Sequence, residues 1–347
     1  MKKLSIKDNI ANLARQKILD GPTRIKRLNQ LSERMGIDLW VKRDDEAGPS
    51  FGGNKSRQLE YYFGAAMAQG ADTILVTGAV QSNFVRLTAA IAASLNIKAV
   101  VQLEERVENP DPHYYETGNV LLNQLLGAEI HYFKEGNSED ADAALYAYAD
   151  QLQQQGRKPY VVALSGKTPP LGACGYFQCA KEIVEQFDQA FDHIIIGTGS
   201  GASHLGLTAG MKYYCPTTKV TGSCVRRPKS EQRQRLNRMA QQFNDLVDQH
   251  GYLNEADFHI WDGAFSPGYG KLSDKAGDAL NMMARKEGFI LDPVYTAKSF
   301  AAIPGLLTEG MIPLGSRVLF IHTGGLGAFF AYQKDLIAHF KAYKFRG

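Results

Sequence analysis

Two patterns in this chain are spaced for chemistry: glycines that open backbone N–H groups, and a lysine placed directly after a glycine pair. Gly197-Thr198-Gly199-Ser200-Gly201-Ala202-Ser203 follows the apolar run at 193–196 and precedes a helical stretch beginning at His204. Glycines let the amides turn inward, and the helix N-terminus adds its positive end, which together make a cradle for phosphate. Gly197, Gly199 and Ala202 also fit the dinucleotide spacing G-x-G-x-x-G/A, although the acid expected about 20 residues on is missing from 217–224. Arg226 can serve a 2′-phosphate, so NADP, a monophosphate ester and a plain tight turn all stay open. The second pattern is Gly52-Gly53-Asn54-Lys55. A helix start disfavours the lysine cation and lowers its pKa, and a neutral amine adds to aldehydes. An ordinary exposed lysine is the alternative.

Three further stretches pair polar side chains with rigid backbone. Gly78-Ala79-Val80-Gln81-Ser82-Asn83 can receive a carboxylate, or Ser82 or Asn83 can simply cap a helix. Tyr269 and Tyr295 lie in Ser266-Pro267-Gly268-Tyr269-Gly270 and Asp292-Pro293-Val294-Tyr295-Thr296. Held that way, a phenol serves as proton donor or acceptor, or packs under a loop. Phe320-Ile321-His322-Thr323-Gly324-Gly325 reads as a strand ending where α/β proteins bind ligands. Other chemistries fail on spacing. Ser165-Gly166-Lys167-Thr168 ends like a Walker A loop, but Val161 stands where its first glycine belongs. The histidines form no HExxH and no cluster with cysteine, so no catalytic metal is expected. No G-x-S-x-G elbow occurs.

The elements that position these residues alternate. Strands are expected at 38–42, 73–77, 98–103, 129–133, 160–164 and 193–196, and helices at 56–69, 79–94, 116–126, 140–155 and 176–187. That order predicts βαβ units, mostly parallel twisted sheets flanked by helices, and right-handed crossovers. Glycine-rich breaks at 48–53 and 165–175 bracket a strand–helix repeat. Residues 56–167 therefore read as a small α/β domain inserted into a large α/β domain of residues 1–55 and 168–347. The arginine-rich stretch 226–238 reads as a solvated helix face, or as an anion-attracting patch near a site.

The 347 residues, 44% hydrophobic and 22% charged, exclude disorder and allow a sizeable core. A net charge of +3 implies neither nucleic-acid nor membrane attraction. Four cysteines without a CxxC pair, and no run of about 18 apolar residues, fit a cytoplasmic protein.

Together the motifs resemble those of the D-cysteine desulfhydrase and 1-aminocyclopropane-1-carboxylate deaminase family of pyridoxal-phosphate enzymes. The matching stretches are Lys42-Arg43-Asp44-Asp45, Gly52–Lys55, Gly78–Asn83, Gly197–Ser203, Pro267–Gly270, Asp292–Thr296 and Ile321–Gly325, in the family's order. The resemblance implies the two-domain, fold-type-II architecture of tryptophan synthase β, a homodimer, and a small amino-acid substrate. It makes Lys55 the Schiff-base lysine, beside Asn54. Gly199, Ser200, Gly201, Ala202 and Ser203 would hold the phosphate. Ser82 and Asn83 would bind the substrate carboxylate and the ring hydroxyl, and Tyr269 and Tyr295 would line the substrate side.

Thr296 and Thr323 would sit near the ring nitrogen. The deaminase branch resembles glutamate and leucine there, while the desulfhydrase branch resembles this chain. The activity so implied is elimination from a β-substituted alanine, with D-cysteine giving pyruvate, sulfide and ammonia. L-cysteate sulfo-lyase and ring-opening deaminase are the alternatives, and an NADP-dependent oxidoreductase is the reading from another class. The chain departs from the family's pattern at Phe84, at Gln58 where a lysine is frequent, and at 165–168. Lys167 or Arg226 would meet a sulfonate in the sulfo-lyase branch.

Overall fold

Short apolar runs separated by amphipathic stretches fold into two sheets with helices on their faces. The computed structural model describes residues 4–108, 110–134, 138–166 and 168–344. The strands are Ile25–Arg27 (β1), Asp38–Lys42 (β2), Thr73–Ala79 (β3), Lys98–Glu104 (β4), Glu129–Phe133 (β5), Pro159–Val162 (β6), His193–Thr198 (β7), Lys219–Cys224 (β8), His259–Trp261 (β9) and Arg317–Ile321 (β10). One sheet has the order β1-β2-β10-β7-β8-β9, parallel except at the β1–β2 edge. The other, β5-β4-β3-β6, is wholly parallel. β3 is buried along its whole length, as a strand covered on both faces must be. In the first sheet Phe320 pairs with Val41 on one side and Ile195 on the other, a fully buried row.

The helices that frame the site are Asn54–Ala68 (α1), Asn83–Ser94 (α2), Asn119–Leu125 (α3), Ala173–Gln186 (α4), Ala202–Tyr214 (α5), Lys229–Leu246 (α6) and Leu326–Phe329 (α7). Two glycines let α4 lie against its neighbours. A Cβ at Gly175 would stand 2.1 Å from the Arg57 carbonyl oxygen on α1, and one at Gly206 on α5 would stand 1.9 Å from the Ala173 carbonyl oxygen. Backbone cannot yield to that, so the absent side chains set the spacing of the three helices. A buried ion network adds direction. Arg57 pairs with Asp44 at 2.9 Å and with Glu182 at 2.7 Å, and the Tyr176 hydroxyl donates to Asp44 at 2.6 Å. Burial opposes ionisation of Asp44, but Arg57 beside it prevails and holds the carboxyl down to about 2.

Several elements differ from expectation. The helix expected at 116–126 begins only at Asn119, because Gly118 is left-handed at φ 61°. β1 and β9, of three residues each, are too short to show a period. β8 runs unbroken through Gly222, where a Cβ would meet the His204 ring at 2.4 Å. The expected domain boundary at 55/56 falls inside α1, which packs on α4 as well as on α2.

Candidate active site

The carboxyl ends of β3, β7 and β10 and the start of α1 converge on one cavity, at the ends of sheet strands where α/β proteins bind ligands. Lys55, Asn54, Ser82, Asn83, Phe84, Gly197, Gly199, Ser200, Val225, Tyr295, Thr323 and Gly324 line it. Five separate sequence motifs are thus brought to one place.

Lys55 is the second residue of α1. Its amine has no ion-pair or hydrogen-bond partner among the described residues, and burial alone pulls its pKa down to about 8. The cause is therefore desolvation rather than the helix end invoked from sequence, and the outcome is the same: an amine partly neutral near pH 8. Gly53 ahead of it, at φ 131°, lies against the Thr323 backbone, where a Cβ would be 3.2 Å from the carbonyl oxygen.

The facing wall is the glycine loop. Gly201 is the N-cap of α5, at φ 102°, and supplies no side-chain cap. The amides of Gly199, Ser200, Gly201 and Ala202 donate to no carbonyl or side chain among the described residues. The loop's acceptors, by contrast, are tied down. The Gly199 carbonyl accepts from Arg227 at 2.9 Å, the Ser200 carbonyl from Arg235 Nε at 2.6 Å, and Thr198 Oγ1 from Gln232 at 2.8 Å. Arg235 also donates to the carbonyls of Leu164 and Ser165. The stretch 226–238 is therefore a solvated face only in part: Lys229, Glu231 and Arg238 are exposed, while Arg235 turns inward. Arg235 is 7% exposed, and its guanidinium braces the loop from behind. Nothing in the spacing of the arginines announced this, because their acceptors lie 28 to 71 residues away.

Other expected residues are placed less directly. Ala202 and Ser203 are buried in the first turn of α5, outside the cavity lining. The Ser203 hydroxyl accepts from Asn54 Nδ2 at 2.8 Å and from Gln58 Nε2 at 2.7 Å, so Gln58 stitches α1 to α5. Ser82 caps α2 by accepting from the Val85 amide at 3.3 Å. Asn83 accepts at Oδ1 from Asn119 at 2.8 Å, which leaves its own amide donors for the cavity. The Tyr269 and Tyr295 hydroxyls are hydrogen-bonded at 2.5 Å, and burial, with Tyr269 adding to it, raises Tyr295 well above the phenol range.

Thr323 lines the cavity, but Thr296 does not: it is buried, and its hydroxyl donates to Asp292 at 2.7 Å. Asp292 is a positioning residue that sequence reading passed over. Its carboxylate accepts from the amides of Val294, Tyr295 and Thr296, all within 2.9 Å, and so fixes the turn that presents Tyr295. An acid three residues before a tyrosine in a proline turn was its only local signal. Behind Thr323, the Gly324 amide donates to His322 Nδ1 at 3.3 Å, which assigns the ring proton to Nε2, donating to the Ile290 carbonyl. Lys167 lies outside the described residues.

These groups fit pyridoxal phosphate. The orphaned amides of the glycine loop suit its phosphate, the Lys55 amine suits its aldehyde, and Phe84, Val225 and Tyr295 offer apolar walls to a flat ring.

Comparison with known proteins agrees. Residues 17–324 match the family model described as pyridoxal-phosphate dependent enzyme. A D-cysteine desulfhydrase of Salmonella typhi is 35% identical over 327 residues, covering 94% of this chain and 98% of that one. The D-cysteine desulfhydrase of Salmonella newport (strain SL254) has the same identity and coverage. The crystal structure of an ACC deaminase homologue superposes with a TM-score of 0.85 at 31% identity, covering 97% of this chain and all of that one. That of O-ureido-L-serine synthase, at 18% identity and a TM-score of 0.63 with 96% of each chain covered, shares the fold.

Proposed function

The chain belongs to the pyridoxal-phosphate-dependent enzyme family, and from that premise we propose that it eliminates the β-substituent of a β-substituted alanine, with D-cysteine the leading substrate. The dehydrogenase reading of the glycine loop falls away with the family match, which runs through the loop. When bound, pyridoxal phosphate supplies an aldehyde for amines and an electron sink for a carbanion at the substrate Cα.

The chain's own residues divide the rest. Lys55, held near neutrality by burial, takes the proton from the substrate Cα. Ser82 and Asn83 hold the substrate carboxylate at the start of α2. The Tyr269–Tyr295 pair keeps its proton because Tyr295 is raised, and donates it to the departing sulfur. For D-cysteine the balance is substrate plus water to pyruvate, hydrogen sulfide and ammonia. Thr323 presents a neutral hydroxyl to the cavity, which favours loss of a good leaving group over ring opening. The observation that carries this reading is the unpaired Lys55 amine facing the open amides of the glycine loop.

A second reading, loss of sulfite from L-cysteate, is favoured by charge. Arg226 lies within electrostatic reach of Tyr269 and Tyr295, and Arg106 within reach of Tyr295, so an anionic leaving group would be met. The test is keto-acid release from D-cysteine, L-cysteine, L-cysteate and 1-aminocyclopropane-1-carboxylate, with sulfide and sulfite assayed separately. Fastest sulfide release from D-cysteine is the expected result. Faster sulfite release or ring opening reassigns the branch.

The homodimer is also proposed. Phe51, Leu121, Leu125, Leu326 and Phe330 are exposed apolar side chains on the 50–53 loop, α3 and the α7 region, which adjoin one another through Arg86 and Gly327. Light scattering in solution checks it. The free cysteines suit a reducing, cytoplasmic setting.

A further inference from the structure

The loop that delivers Lys55 runs through four consecutive left-handed residues: Ser50 at φ 50°, Phe51 at 64°, Gly52 at 53° and Gly53 at 131°. For Ser50 and Phe51 that conformation is disfavoured, so something outside the loop must hold it. Phe51 is 55% exposed and cannot anchor it by packing. Beyond backbone bonds at its end, the side-chain contacts come from Arg86, on α2, which packs on the other sheet. Its Nη1 donates to the Ser50 carbonyl, its Nη2 to the Gly52 carbonyl at 3.3 Å, and its Nε to Asn119 Oδ1 at 3.2 Å.

Arg86 is completely buried and has no carboxylate partner among the described residues. Burial alone lowers its pKa, to about 10. A buried cation without a counter-ion is costly, and here its hydrogen bonds go to neutral acceptors on two separate elements. Asn119 carries the link onward. Its amide nitrogen donates to Asn83 Oδ1 at 2.8 Å and to the Gln81 carbonyl at 3.0 Å. Gly327 closes the space behind, where a Cβ would stand 2.5 Å from Asn119 Oδ1.

We propose that Arg86 is a positioning residue for the reaction: its guanidinium clamps the 50–53 loop that presents Lys55 and, through Asn119, fixes the orientation of Asn83, so that one buried group sets the distance between two walls of the cavity. The role given to Lys55 rests on the reading above, but the clamp itself is a property of the polypeptide alone.

Hydrogen exchange, measured amide by amide on the protein without cofactor, tests it. The amides of Gly52, Gly53 and Asn54 are bonded to the carbonyls of Pro49, Ala47 and Thr323 at 3.0 to 3.1 Å and report the loop. In Arg86→Ala they should exchange on the order of 10-fold faster, while β3 keeps its protection. Added methylguanidinium, well below denaturing concentrations, should restore them. Arg86→Lys, with one donor centre in place of a fork, should give an intermediate effect and covers the case in which alanine does not fold. In the holoenzyme kcat should fall with little change in KM. Unchanged exchange at these three amides, or an equal rise throughout β3, overturns the proposal. Borohydride labelling of the wild-type holoenzyme separates the two ideas. Label on a lysine other than Lys55 overturns the reading of Lys55 and leaves the loop measurement to decide the clamp.

Discussion

The cavity is bounded by two strand-to-helix turns that look alike in sequence and end differently. β3 runs into α2 through Ser82, whose side chain caps its own helix. β7 runs into α5 through Gly201, which has no side chain to do so. The first helix end therefore satisfies one of its own donors, while the second leaves four successive amides open and has its carbonyls held by Arg227 and Arg235. An anion competes poorly for donors already taken, so the more highly charged group belongs at α5. In the proposed function the α2 turn is left to a single carboxylate and to the side chain of Asn83. On that reading, a glycine in place of a serine at the cap is what assigns phosphate to the α5 turn.

Four substitutions or conditions sharpen or break this contrast. The largest effect is expected where both turns serve the same atom. Lys55→Ala should abolish the visible absorbance of the holoenzyme and lower turnover by about 10²–10⁴-fold or more, the usual contribution of a positioned base. Normal turnover in that variant would move the base elsewhere.

Ser200→Asp puts a carboxylate among the open amides at the α5 turn. Affinity for pyridoxal phosphate, measured by equilibrium dialysis, should fall by more than about 10-fold, at least 1.4 kcal/mol. Retention as tight as wild type would mean that the loop is only a turn.

The Lys55 amine should also show in the pH dependence of stability without cofactor. Its folded pKa of about 8 lies below the ordinary 10.5, so the unfolded chain binds the extra proton between those values. Folding should therefore gain stability as pH rises from about 8 to 10.5, and lose that advantage below. Denaturant titrations of wild type and Lys55→Ala across that range measure it, the difference between them growing with pH in favour of wild type. A flat difference would place the amine in water.

The smallest effect belongs to the capped turn. Ser82→Ala should cost about 1 kcal/mol of stability. It should raise KM for the amino acid, and leave cofactor affinity unchanged. A loss of cofactor affinity equal to that of Ser200→Asp would erase the distinction between the two turns.

What was legible in the sequence was local. The strand–helix alternation, the glycine pair ahead of Lys55, the Ser82–Asn83 turn and the 197–201 loop each depend on residues within a few positions of one another. Backbone dihedrals, helix ends and apolar periods are encoded at that range, and so is the chemistry that an amine or an open amide can do. Even there, the low pKa of Lys55 was expected for the helix end and comes from burial. Tertiary structure decided the rest. Ser203 is engaged by Asn54 across 149 residues and by Gln58 across 145. Arg235 reaches back 71 residues to Leu164, and Arg86 spans 36 to Ser50. Thr296 turns its hydroxyl to Asp292 instead of lining the cavity. The reason is physical. Whether a polar side chain faces a ligand or another element depends on which acceptors packing brings within about 3 Å, and residue type and spacing carry no record of that distance.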